Sequence, residues 1–182
     1  MNYIIRKASL EDRDRLKELI DQSARGLSRE YYSQQQIEGA IRTVFGVDTD
    51  LIRDGTYLIA ESGTQVVGCG GWSKRKTLFG GDQFSSRNDA LLDPPNEPAK
   101  IRAFFVHPDF ARQGIARQIL TVCETEAAKA GFRSIELMAT LPGVPFYKSC
   151  GYSEMGAIDL ELDQNIRLGL IRMNKEIKNP HG

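Results

Sequence analysis

The chain has 182 residues, 41% of them hydrophobic, with 24 acidic and 24 basic side chains and three cysteines. A formal net charge of zero gives no general attraction to nucleic acid or to an anionic membrane surface. The cysteines lack the paired spacing of a disulfide framework or a zinc site, and no apolar stretch is long enough to span a bilayer. We therefore expect a single domain over residues 1–182, cytoplasmic, with no metal and no nucleic-acid or membrane partner.

The hydrophobic pattern predicts a mixed α and β chain with a strand–helix–strand unit in its middle. Apolar residues recur every fourth position from Ile115 to Ala127, which is typical of an amphipathic helix, and Gly131 ends it. Further helices are predicted from Ser9, over residues 33–45 and over residues 145–150. Strands are predicted over residues 2–7, 56–60, 65–72, 101–106, 135–139, 152–160 and 167–174.

An irregular stretch over residues 73–99 interrupts this pattern. It contains two glycine or proline pairs, Gly80-Gly81 and Pro94-Pro95. A loop of this length inside a compact domain is either functional or disordered.

The segment FFVHPDFARQGIAR joins the end of a predicted strand to the start of the long helix. The first amides of a helix have no partner within the helix, and the helix dipole places partial positive charge there. A strand, a glycine loop and a helix therefore form a site for a pyrophosphate, at which Arg112 and Arg117 add charge. Gly114 allows the anion to approach the backbone. The alternative is that Gly114 only makes a tight turn.

These residues resemble the pyrophosphate loop of the GNAT N-acetyltransferase superfamily, whose pattern is Arg or Gln, two residues, Gly, one residue, then Gly or Ala. Gly114 and Ala116 match it, while Ala111 stands where the family prefers Arg or Gln. The resemblance implies that backbone groups of Phe105 and Val106 bind the pantetheine arm and the acetyl carbonyl of acetyl-CoA. It also implies that the pyrophosphate is bound by Arg112, Gln113, Gly114, Ile115, Ala116 and Arg117.

The segment LPGVPFYKSCGY resembles a later motif of the same superfamily. Tyr147 takes the position of a tyrosine that protonates the leaving thiolate, and Gly151-Tyr152 forms the closing pair. Thr140 or Leu141 stands where many members have an asparagine that contacts the cofactor. The alternative for Tyr147 is a core aromatic residue whose hydroxyl bonds to the backbone.

The resemblance implies an α+β (mixed α/β) fold, the GNAT acyl-CoA N-acyltransferase fold. In that fold, a mostly antiparallel twisted sheet of six to seven strands is flanked by about four helices. It implies acetyl transfer from acetyl-CoA to a primary amine, here of a small molecule. Alternatives are a protein N-terminal or lysine acetyltransferase and a non-catalytic acyl-CoA sensor. A homodimer is expected because family members often pair through their C-terminal strands.

Acetyl transfer requires a neutral amine, and a carboxylate can remove the proton directly or through water. Glu136 is a candidate base because some family members carry a functional glutamate at the corresponding place. Carboxylates of the long loop, or ordered water alone, are the other candidates: Asp82, Asp93 and Glu97. The residues expected to line the acceptor pocket are Tyr31, Tyr32, Trp72, Phe79 and Asp82. The basic run 74–76 binds an anionic group or is simply solvated.

Overall fold

A seven-stranded sheet forms the centre of the structure, a computed structural model that describes residues 2–178. Its strands are β1 (Ile4–Lys7), β2 (Tyr57–Ser62), β3 (Gln65–Ser73), β4 (Ala99–Val106), β5 (Ser134–Thr140), β6 (Ser153–Glu161) and β7 (Arg167–Glu176). The spatial order is β1-β2-β3-β4-β5-β7-β6. Only β4 and β5 run parallel among these neighbours. The expected mixed, mostly antiparallel fold is confirmed.

Five α-helices occur within residues 2–178: α1 (Arg13–Leu27), α2 (Gln34–Thr43), α3 (Thr49–Arg53), α4 (Ile115–Lys129) and α5 (Val144–Ser149). The helix that the sequence does not predict is α3, which is too short to show an apolar period. A carboxylate oxygen of Asp48 caps it by accepting from the amide of Leu51 at 3.3 Å. None of the helices in this part of the chain has both the length and the apolar character to cross a bilayer.

The helices cover both faces of the sheet. Along β2, Tyr57 and Ile59 belong to one apolar cluster, whereas Leu58 and Ala60 belong to another. Because side chains alternate along a strand, the two clusters lie on opposite faces. The first cluster contains the buried residues of α1, α2 and α3, and the second contains those of α4.

The strands β4 and β5 separate along their length. Their register contains only the pairs Ala99 with Ile135 and Lys100 with Glu136. Both strands continue past these pairs without bonding to each other. The sheet therefore has a gap on the carboxyl side of its one parallel pair, where open sheets commonly bind ligands.

A bulge lies in β4 beside this gap. Between the pairs Cys69 with Phe105 and Gly71 with Arg102, β4 has one more residue than β3. Ala103, within the bulge, has a φ of +57°. A bulge changes which face each following side chain occupies, and it occurs here where the strand borders the gap.

The stretch 73–99 is folded back on itself and onto the rest of the chain. Backbone hydrogen bonds join residues 74–77 to residues 88–92. At the tip, the amide of Gly81 donates to the carbonyl oxygen of Val44 at 2.8 Å. A Cβ on Gly81 would lie 2.7 Å from the Cα of Gly46, so the backbones touch there. The tip of the loop is thus fixed to the α2–α3 connection.

Candidate active site

A cavity of about 840 Å³ occupies the gap between β4 and β5. Its walls include the consecutive residues Phe104 and Phe105, which pack on opposite faces of the sheet. Ile115 and Tyr147 line it on the α4 face, and Phe45 lines it on the α1 face. The cavity therefore passes through the sheet, and its volume is that of a small-molecule site.

At one end of the cavity, α4 begins with unpaired backbone amides. The first hydrogen bond of the helix runs from the amide of Gln118 to the carbonyl oxygen of Gly114 at 3.0 Å. Within residues 2–178, no acceptor bonds to the amides of residues 112–117. Free amides and the helix dipole favour an anion at this position.

The backbone of this loop leaves space for such an anion. Gly114 has a φ of +85°, and a Cβ placed there would meet nothing within 4 Å. Arg112 also has a positive φ, +62°, and both Arg112 and Arg117 line the cavity. Gln113, predicted to bind the cofactor, does not line the cavity, and its side chain donates to the carbonyl oxygen of Asp109 at 3.3 Å. These groups fit the diphosphate of an acyl-CoA.

Along β4, the residues next to the gap are Phe105 and Val106. His107 donates from its amide to the carbonyl oxygen of Val67 on β3 at 2.9 Å. The amide of Val106 therefore points to the other edge of β4, toward the gap. There it donates to the hydroxyl oxygen of Ser23, a buried residue of α1, at 3.3 Å. No sequence motif indicated Ser23, because a lone helical serine carries no signal.

Tyr147 lies on α5 and is 8% exposed. Its ring packs edge-on against Phe104 and Tyr152, with centroid distances of 6.4 and 5.7 Å. Its hydroxyl has no hydrogen-bond partner in the described part of the chain, and the residue lines the cavity. The hydroxyl of Tyr152, by contrast, donates to Glu124 at 2.9 Å. Tyr147 is therefore not a core tyrosine with a hydroxyl bonded to backbone.

Burial raises the pKa of the Tyr147 hydroxyl above its ordinary value, and the nearby thiols of Cys123 and Cys150 raise it further. A tyrosine with a raised pKa keeps its proton at neutral and moderately alkaline pH. The group is thus available in this cavity as a proton donor.

The sequence pattern of the acetyltransferase (GNAT) family matches residues 16–152. The chain belongs to the GNAT acetyltransferase family. Membership of this family supports acyl-CoA-dependent acetyl transfer, which the resemblance of the loop implied. No curated protein matches the sequence of this acetyltransferase.

Solved structures share the fold of this GNAT acetyltransferase over nearly all its length. A GCN5-related N-acetyltransferase from Rhodopseudomonas palustris has a TM-score of 0.70 and 18% identity, covering 97% of each chain. The PaiA N-acetyltransferase from Thermoplasma acidophilum, in complex with coenzyme A, has a TM-score of 0.62 and 18% identity over 97% of this chain and 99% of that one. A ribosomal-protein-alanine N-acetyltransferase from Brucella melitensis has a TM-score of 0.62 and 17% identity, over 96% and 99%. At such identities the likeness shows the fold.

Contrary to the sequence-based expectation, Glu136 does not line the cavity of this acetyltransferase. Its side chain is buried in an ion pair with Lys100 and accepts from Arg172 at 2.6 Å. Burial alone would raise the pKa of Glu136, but the hydrogen bonds from Lys100 and Arg172 outweigh it and lower the pKa. A carboxylate held in this way is a poor proton acceptor, and we correct its assignment as the base.

The loop carboxylates proposed as alternatives also lie outside the cavity walls. Asp82 accepts from the amide and the hydroxyl of Thr49, each at 2.9 Å, and so helps to begin α3. Asp93 and Glu97 bond within their own turn, where the amide of Asp93 donates to Glu97 at 2.7 Å. The carboxylate that does line the cavity, among the described residues, is Glu30, which follows α1 and matches no motif.

Two of the residues expected at the acceptor pocket do line the cavity: Tyr31 and Phe79. Tyr31 is 47% exposed at the end of the α1 segment. Phe79, on the long loop, packs against Phe84 with a centroid distance of 5.0 Å. The loop thus supplies a wall of the cavity.

Tyr32 and Trp72 do not line the cavity, contrary to expectation. The hydroxyl of Tyr32 donates to the carbonyl oxygen of Gly169 at 2.6 Å and accepts from the amide of Leu141 at 2.8 Å. It therefore holds the start of the segment that carries the catalytic tyrosine candidate. The indole of Trp72 donates to Glu126 at 2.8 Å, on the face of the sheet that α4 covers. An alternating strand position decided which face Trp72 occupies.

The basic run 74–76 contributes no side chain to the cavity wall. Arg75 forms an ion pair with Asp54 at 2.7 Å, and Lys76 lies 3.9 Å from Glu97. These contacts fix the base of the long loop, and the run is a structural and solvated feature.

Proposed function

We propose that this protein transfers the acetyl group of acetyl-CoA directly to the primary amine of a small molecule. The observation that carries the proposal is that one cavity joins the free amides at the start of α4 to the unpartnered hydroxyl of Tyr147. An anion site and a proton donor at one cavity are what thioester aminolysis requires.

In this proposal, the amides of residues 112–117 bind the diphosphate, and Arg112 and Arg117 add charge-assisted hydrogen bonds. Val106, whose amide faces the open edge of β4, exchanges its hydrogen bond to Ser23 for one to the acetyl carbonyl and so polarises it, and Phe105 lies beside the pantetheine arm. The bound thioester supplies the acetyl group.

Tyr147 gives its proton to the departing sulfur. A thiol has a pKa of about 8.5, and CoA leaves more readily as the neutral thiol than as the thiolate. The amine must lose a proton before it attacks, which costs about 4 kcal/mol at neutral pH for an amine with a pKa of about 10. Water in the cavity accepts that proton, because Glu136 and the loop carboxylates are bound elsewhere and Glu30, the carboxylate that does line the cavity, is solvent-exposed.

A small acceptor is favoured over a protein acceptor by the long loop. A peptide needs an open groove, whereas Phe79, Gly80 and Gly81 wall this cavity from a loop tip fixed to Val44. A protein N-terminus or a lysine side chain would require that the tip move away.

We also propose that the protein forms a homodimer through its C-terminal strands. The strand β6 is the edge of the sheet and exposes Met155 and Ile158, which are 59% and 36% exposed. An exposed edge strand with apolar side chains pairs readily with another copy. Sedimentation equilibrium checks this: a monomer at all concentrations would contradict it.

The test of the function combines calorimetric titration with CoA and an assay of thiol release in the presence of amines. Tyr147→Phe is expected to lower kcat by about a hundredfold or more, the usual contribution of an acid catalyst, with an unchanged Kd for CoA. Tyr152→Phe is the matched control, since it removes a hydroxyl bonded to Glu124 away from the cavity. A Tyr147→Phe variant with full turnover would exclude the acid role, and wild-type protein that binds CoA without turnover would indicate a sensor.

A further inference from the structure

The two ends of the cavity differ in chemistry. The part on the α4 face carries the free amides and the two arginines described above. The part on the α1 face is almost entirely apolar, with the lining residues Leu27, Val44, Phe45, Phe79, Phe105 and Leu170. This second part is where an acceptor approaches, because the α4 face is assigned to the diphosphate and the pantetheine arm.

One cation, Arg102, lines this apolar part, but its charge is already used within the protein. Arg102 is 3% exposed. Its Nη1 donates to the carbonyl oxygen of Thr77 at 3.2 Å, and its Nε lies 3.1 Å from a carboxylate oxygen of Asp48, which is fully buried. A guanidinium held in this way offers no free charge to the carboxylate of an acceptor.

At the mouth of the cavity, the side chain that bears a charge is negative rather than positive. Glu30 lines the cavity, is exposed, and forms no ion pair within the described residues. The exposed ring of Tyr31 lies next to it in the chain. A carboxylate beside an aromatic face attracts an ammonium group before it enters.

Building on the proposed acetyl transfer, we infer that the acceptor is a primary amine attached to an uncharged apolar body, either aryl or branched alkyl. The ammonium group passes Glu30, and the body lies against Phe45 and Phe79. An amino acid brings a carboxylate that meets no free cation here, and a polyamine brings extra ammonium groups that meet apolar walls. Both are rejected because a buried unpaired charge is strongly unfavourable.

The reaction balances without any further reactant. The C–S bond of the thioester breaks and a C–N bond forms. The alkylammonium ion loses two protons, of which one goes to water and one ends on the sulfur by way of Tyr147. The products are an N-alkylacetamide and free CoA thiol.

The test compares acceptors that differ in one charged group. 2-Phenylethylamine and phenylalanine share the ring and the amine and differ by a carboxylate, while spermidine lacks an apolar body. We expect kcat/KM for 2-phenylethylamine and 3-methylbutylamine to exceed that for the other two by about tenfold or more. Equal or faster turnover of phenylalanine or spermidine would overturn this inference and leave the acetyltransferase function standing. CoA binding with no turnover of any amine would overturn the proposed function itself.

Two variants test the residues of the apolar part. Phe79→Ala should lower kcat/KM for 2-phenylethylamine about tenfold while changing that for methylamine less than about twofold, since methylamine has no body to contact the ring. Leu91→Ala is the matched control, because Leu91 is on the same loop, 62% exposed and outside the cavity wall. An equal loss for both amines would show that Phe79 acts only through the fold and would overturn its role.

Glu30→Gln should raise KM for 2-phenylethylamine with kcat nearly unchanged, and added salt should abolish the difference from wild type by screening the carboxylate. Glu11→Gln makes the same charge change at an exposed site outside the cavity wall. If Glu30→Gln left KM unchanged at low salt, the proposed approach of the ammonium group past Glu30 would be wrong. For each variant, calorimetric titration with CoA checks that the Kd for CoA is unchanged and that the part of the cavity on the α4 face is intact.

Discussion

Lys100 and Glu136 are the last residues of β4 and β5 that face each other in register, and their side chains form a buried ion pair. Beyond them the strands separate and the cavity begins. Arg172, from β7, binds the same carboxylate at 2.6 Å. The charged group therefore ties three neighbouring strands together at the place where the gap starts.

Replacing Glu136 by Gln should destabilise the protein without removing a catalytic group. The variant leaves the buried Lys100 without a counter-charge, which costs about 3 kcal/mol of unfolding free energy. Chemical denaturation measures this loss. Glu154→Gln, which removes an exposed pair with Lys148, should cost less than about 1 kcal/mol. A variant of Glu136 that folds normally but loses about a hundredfold in kcat would restore Glu136 as the base.

The stabilisation of the fold by Glu136 should be lost as the pH falls. Hydrogen bonds from Lys100 and Arg172 outweigh burial and lower the folded-state pKa of Glu136 below its ordinary value of 4.5. Folding therefore favours the ionised carboxylate, and its stabilising effect is complete above the unfolded-state pKa. The difference in unfolding free energy between wild type and Glu136→Gln should stay constant near neutral pH and shrink as the pH falls below 4.5. A difference that grew with acid would contradict the assignment.

Replacing Gly114 by Ala should weaken CoA binding as well as the fold. The φ of +85° is unfavourable for a residue with a Cβ, at about 1–2 kcal/mol. No atom lies within 4 Å of the added Cβ, so strain rather than a clash perturbs the free amides. Calorimetry should show a Kd for CoA raised about tenfold, the equivalent of about 1.4 kcal/mol. Gly156→Ala, in open space on β6 without a positive φ, should bind normally, and normal binding by both variants would contradict the pyrophosphate site.

Replacing Tyr57 by Phe should loosen the bulge beside the gap. The hydroxyl of Tyr57 donates to the carbonyl oxygen of Ala103 at 3.3 Å, as the thiol of Cys69 does at 3.4 Å. These bonds hold a residue whose φ of +57° is strained. We expect a loss of about 1 kcal/mol in stability and a lower kcat, because the bulge sets the directions of Phe104 and Phe105. An unchanged kcat in a destabilised variant would show that the bulge is held by other contacts.

Tyr147 should stay protonated as the pH rises to moderately alkaline values, so its ionisation should not lower kcat there. Burial, together with the thiols of Cys123 and Cys150, raises the pKa of Tyr147 above the ordinary 10.0. The acid therefore remains protonated where an exposed tyrosine begins to ionise. A pH profile of kcat for wild type and Tyr147→Phe checks this. A decline in the wild type that follows a group with a pKa near 10, and that is absent in the variant, would contradict the raised value.

Part of the proposed site could be predicted from local sequence. The free amides at the start of α4 are a property of any helix end, and a glycine before an apolar period marks where that end lies. The approximate positions of the strands along the chain could be predicted from apolar runs and turn residues, and the mostly antiparallel sheet followed from the family resemblance. The sequence does not predict α3, because five residues show no period. The position of Tyr147 relative to the loop came from the family resemblance.

The sequence by itself determined where α4 begins and that helices and strands are mixed along the chain, because each depends on neighbouring residues. Only the tertiary structure decided that Glu136 is bound by Lys100 and Arg172, and that Trp72 lies on the α4 face. It alone placed Glu30 at the cavity. The physical reason is that these outcomes depend on pairings between distant segments, which no local pattern of hydrophobic or charged residues encodes.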